Sequence, residues 1–76
     1  MECKRIYMEF SKMIIRIRAK LNLSQKKLGD LVGVSFSTIN RWENMKSIPS
    51  KKHICILENI CAENGINFEA SDGNTD

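Results

Sequence analysis

Eleven residues, Gly33 to Glu43, written GVSFSTINRWE, concentrate hydroxyl, amide and guanidinium groups on a short span. Such groups reach the edges of bases and the phosphates of a DNA duplex. At about 100° per residue in a helix, Ile39 and Trp42 share one side, while Ser37, Asn40, Arg41 and Asn44 sweep the other. Phe36 falls at the border between them. Two expectations follow for it: partial packing against the domain, or apolar contact with a thymine methyl group, which the major groove displays. A merely solvated helix would show the same polar face, so the flanking sequence has to decide.

Other chemistry is poorly provided for. Cys3, Cys55, Cys61 and the single histidine, His53, are scattered without the paired spacing of a zinc site. His53 and Cys55 stand two apart, so on a helix they point in different directions and make a poor base and nucleophile. A chain of 76 residues has room for one core but not for a catalytic cleft with its own walls. The expectation is a protein that is not an enzyme and holds no cofactor, metal or small-molecule ligand, with its thiols reduced and Cys61 acting as a small buried hydrophobe.

Charge points toward a polyanion. The net charge of +3 hides an asymmetry, because all twelve Lys and Arg lie between Lys4 and Lys52 against only Glu9, Asp30 and Glu43. That segment carries +9. From His53 onward five acids stand with no Lys or Arg, giving −5, and Glu2 adds −1. A basic front and an acidic rear suggest a polyanionic partner met by the first part of the chain. No apolar run reaches the roughly 18 residues of a membrane span, and charges interrupt IYMEFSKMIIRIR where a signal peptide would be apolar. A cytoplasmic protein is expected.

The elements that must position GVSFSTINRWE are helical. Phe10, Met13, Ile14, Ile17 and Leu21 recur at helical spacing, which predicts a first amphipathic helix ending near Asn22. Ser24 is placed to cap a second helix whose stripe is Leu28, Leu31 and Val32, stopped by Gly33 in a left-handed conformation. Ser35 caps a third helix, about Phe36 to Asn44. After a loop closed by Pro49, Ser50 caps a fourth, KKHICILENICAEN, which Gly65 ends. INFE could be extended. Gly29, where alanine would favour a helix by about 1 kcal/mol, suggests a close approach of the second helix to the third.

LSQKKLGDLVGVSFSTINRWEN resembles the helix-turn-helix of the Cro and phage-repressor family, whose wording is close to L-S-Q-x-x-L-A-x-x-x-G-V-S-x-x-T-I-x-x-W-E-N-G-K. The likeness covers about residues 10 to 65. It implies an all-α, lambda-repressor-like bundle of four to five helices that binds double-stranded DNA, usually as a dimer, to regulate transcription. Residue by residue, it implies that Phe36, Ser37, Asn40 and Arg41 read bases. Gln25, Thr38, Asn44, Lys46 and Ser47 would contact the backbone or an edge base, and Arg18 would pair with Glu43 to fix the angle of the third helix. Two positions depart from the pattern. Met45 stands where the family has glycine, so the loop carrying Lys46 and Ser47 is expected to differ, and Gly29 replaces alanine, which would only loosen the helix.

On the fourth helix Ile54, Leu57, Ile60 and Cys61 form one stripe with Ile56 outside it. Ile56, Ile66 and Phe68 then either form a homodimer surface or fold so that the last two cover the first. The expected organisation is an arm or helix extension at 1–7, the DNA-binding domain at 8–69 and a disordered acidic tail at 70–76. The leading function is a sequence-specific DNA-binding repressor. The alternative is a protein-interaction module of the same fold, such as an antitoxin, bridging factor or adaptor.

Overall fold

In the computed structural model, residues 2–66 are described, with side chains from Arg5 onward. Four helices follow one another: α1 (Glu2–Leu21), α2 (Gln25–Val32), α3 (Phe36–Glu43) and α4 (Lys51–Glu63). No strand occurs among the described residues. α1 begins well before Phe10, so residues 2–7 are its first turns. The expected tail at 70–76, and Asn67 to Glu69 of the INFE segment, lie outside the described residues.

Each boundary has a local cause. α1 stops where Asn22 turns left-handed at φ 57°, a conformation asparagine tolerates. Ser24 is extended, and its hydroxyl accepts the backbone N–H of Lys27 at 3.0 Å. Gly33 ends α2 at φ 94°, where a side chain would be strained. Ser35 repeats the Ser24 device for α3, accepting from Thr38 N–H. Ser50 departs from expectation: it sits at the N-cap of α4 in extended backbone, but its hydroxyl meets His53 Nδ1 at 3.0 Å and makes no bond to the helix's own N–H groups. The imidazole, three residues along, competes for the role that the backbone plays at the other two caps.

The apolar stripes converge on one core. Met13, Ile14 and Ile17 of α1, Leu28 and Val32 of α2, Ile39 and Trp42 of α3, and Leu57 and Cys61 of α4 are buried together with Ile66. Leu31, expected in the stripe of α2, is instead 56% exposed. The buried side of α2 is Leu28, Gly29 and Val32, and Leu31 falls outside it. Burial, with a smaller contribution from the Glu58 carboxylate, raises the Cys61 thiol above its ordinary range, partly offset by Arg16; Cys61 therefore packs as a neutral group.

Of the three residues expected at a homodimer surface, Ile66 belongs to the core. Gly65 turns left-handed at φ 65°, and the next N–H, that of Ile66, returns to Cys61 O at 2.8 Å. This closure of the helix end carries Ile66 back into the core, where it is 8% exposed. Ile56 leans on the same core beside Ile60. Phe68 lies outside the described residues.

Candidate nucleic-acid interface

α3 has one buried and one open side. Ile39 is fully buried and Trp42 is 3% exposed, whereas Ser37, Asn40 and Arg41 are exposed and Phe36 is 56% exposed. The four residues expected to read bases thus share the outer face of one eight-residue helix. Of the two expectations for Phe36, packing into the domain is the one its exposure disfavours. Trp42 is a core residue, its ring tilted against that of His53 with centroids 5.7 Å apart, and it is closed off from base stacking.

The start of α3 is set by a backbone contact. A Cβ built on Gly29 would stand 2.5 Å from Val34 O and 3.3 Å from the Ser35 carbonyl group. The bare glycine admits the chain between the two helices; it is not a mere loosening of α2, and the approach is to the connection rather than to α3 itself. Gly29 O also accepts the N–H of Val34 at 2.8 Å, tying α2 to the turn.

The end of α3 is set by side chains. Glu43, whose side chain is 10% exposed, receives Arg18 Nη1 on both carboxylate oxygens at 3.1 and 3.0 Å. The expected pair therefore forms. Gln25 Nε2 donates to Glu43 Oε1 at 3.1 Å, which commits half of an amide expected at the DNA and orients it, since a carboxylate only accepts. Arg18 Nε further donates to Leu23 O at 3.2 Å. Ser11, buried on α1, donates its hydroxyl to Glu43 O at 2.7 Å.

The remaining candidates flank this frame. Thr38 is half-buried, its hydroxyl 3.3 Å from that of Ser35. Asn44 is exposed, yet its amide donates to Asn40 O at 2.8 Å and so closes the helix end. Met45 takes φ 60° in spite of its side chain. A left-handed turn thus forms here without a glycine. Beyond it Lys46 is exposed and Ser47 half-buried. None of α2, α3 or α4 has an acid in its first turn. The outer face of α3 offers neutral donors and acceptors plus one guanidinium, with Lys46 beyond its end.

Sequence reasoning missed two contacts, Ser11 with the carbonyl of Glu43 and Gln25 with its carboxylate. Ser11 was detectable as a small polar residue seven before Arg18, hence on the same side of α1. Nothing in its spacing named Glu43 as the partner.

A helix-turn-helix family model matches residues 14–64, more than half of the chain. Over 52 residues, 64% of this chain, the sequence is 47% identical to the type II methyltransferase M1.ScrFI of Lactococcus lactis subsp. cremoris. The match takes in 13% of that protein, so the chain corresponds to a small part of it. No solved structure matches.

Proposed function

The chain belongs to the Cro/C1-type helix-turn-helix family, and from that membership we propose that it binds a particular sequence of double-stranded DNA and regulates transcription, as a repressor. The observation that carries this reading is the division of α3: Ile39 and Trp42 anchor it while Phe36, Ser37, Asn40 and Arg41 stand outward together. In the major groove, Arg41 and Asn40 match the paired acceptors and donors of guanine and adenine, Ser37 suits either, and Phe36 suits a thymine methyl. Thr38, Asn44, Lys46 and Ser47 follow the sugar-phosphate backbone. Gln25 meets a phosphate or an edge base with the part of its amide that Glu43 leaves open.

The match to part of a type II methyltransferase supports a second reading, in which this DNA-binding domain serves such an enzyme rather than acting as a repressor. Both readings require DNA recognition, and selection of bound duplexes from a random pool tests that common part. The expected result is enrichment of one sequence, and the number of related half-sites within it reports how many copies bind. Within the enriched site, Arg41→Ala relaxes preference at one base pair at a cost of about 1–3 kcal/mol, whereas Lys46→Ala lowers the salt slope of log K by about one on every sequence. A pool that stays random would remove the proposal and favour a protein-interaction module.

A further inference from the structure

A helix leaves its last four carbonyls without partners inside the helix, and those of α3 can be accounted for one by one. Asn40 O accepts the backbone and side-chain N–H groups of Asn44, at 3.0 and 2.8 Å. Arg41 O accepts Lys46 N–H at 2.8 Å, and Trp42 O accepts Met45 N–H at 3.2 Å. Three of the four are thus satisfied by the chain immediately following. The fourth, Glu43 O, is satisfied from 32 residues earlier, by the Ser11 hydroxyl at 2.7 Å.

We propose that Ser11 is a positioning residue for DNA recognition, fixing the C-terminal end of α3 against α1 and thereby the placement of Arg41 and Lys46 on the duplex. This rests on the reading of α3 as the recognition helix. Ser11 is 7% exposed, so water cannot readily replace its hydroxyl at the carbonyl. Ser11 and Arg18 lie two turns apart on one side of α1, a separation of about 10 Å. One holds the main chain of Glu43 and the other its carboxylate. Together they hold both the main chain and the side chain at the end of a helix whose middle is anchored by Ile39 and Trp42. The consequence reaches the DNA-facing groups directly, because Arg41 is half a turn before Glu43 and its carbonyl holds the N–H of Lys46.

The test compares the full chain with Ser11→Ala and with Ser11→Cys, which keeps a side-chain donor but a weaker one on a larger atom. Two quantities are measured on protein that circular dichroism shows to be folded. Residual dipolar couplings give the orientation of α3 relative to α1. Titrations give the ratio of affinities for the pool-selected duplex and a scrambled one. Ser11→Ala should change the orientation and lower the ratio about tenfold, the scale of one lost hydrogen bond, with Ser11→Cys following in the same direction by about threefold. Where Ser11→Ala does not fold, Ser11→Cys decides alone. Unchanged orientation in the folded variants overturns the proposal, as does a changed orientation with an unchanged ratio. If the parent protein itself shows no preference for any duplex, the DNA-recognition reading is what fails, and the dipolar couplings still judge whether Ser11 positions α3.

Discussion

The two ends of α3 are held by different means. At Phe36 every device lies within a few residues: Gly33 reverses the chain at φ 94°, Ser35 caps the helix, and Gly29 admits the turn to within contact. At Glu43 the partners come from residues 11, 18 and 25, and the chain leaves through a methionine in a left-handed conformation. The first end is secured by backbone geometry that few residue types satisfy. The second is secured by side-chain chemistry converging on one residue, so it has more ways to fail and more ways to be tuned.

That contrast can be broken most forcefully at Glu43. Glu43→Ala deprives Arg18 and Gln25 of their common partner in a setting intermediate between exposed and buried, since the paired side chains are 29% and 10% exposed. A loss of about 2–3 kcal/mol is expected. In a domain of this size that corresponds to roughly 10 °C or more in the melting temperature, with DNA affinity falling alongside. An unchanged melting temperature would mean that the carboxylate does not hold this end.

Gly29→Ala probes the opposite end. Alanine would ordinarily favour a helix by about 1 kcal/mol, but here its Cβ would stand 2.5 Å from a backbone carbonyl oxygen that has no flexible way out. Overpacking costs of about 1–3 kcal/mol should prevail, giving a net loss of up to about 2 kcal/mol by chemical denaturation. A gain in stability would show that the turn has room to move.

Smaller effects sharpen the comparison. Met45→Gly should stabilise the domain by up to about 1 kcal/mol, because it relieves a left-handed side-chain residue, less the entropy that glycine adds to the unfolded chain. Equal stability of the two proteins would mean that the loop bears no strain at that point. Phe36→Ala should leave the melting temperature almost unchanged and cost about 1 kcal/mol in binding, only on duplexes bearing the contacted thymine. Replacing that thymine with uracil should reproduce the loss. A lowered melting temperature would instead return Phe36 to the core.

Much of this was legible in the residues. The caps at Ser24 and Ser35, the stop at Gly33 and the burial of Ile39 and Trp42 follow from local rules, because a helix boundary is decided by the few residues that satisfy its orphan groups. Reading failed where a choice depended on neighbours distant in the chain. Leu31 fits the helical stripe, but α2 packs through Leu28, Gly29 and Val32 and leaves it in solvent. Ser50 has the type and position of a cap, yet a histidine side chain captured its hydroxyl. Ile66 could equally have faced a partner, until the turn at Gly65 placed it in the core.

By itself the sequence determined the four helices, the ends marked by caps and left-handed stops, the buried side of α3 and the identity of the groups left facing outward, since periodicity and capping act over one or two turns. Only the tertiary structure decided how that outward face is aimed. Its orientation depends on Ser11, Arg18 and Gln25 meeting at Glu43, contacts between residues far apart in the chain that form only when α1 and α2 have packed around α3.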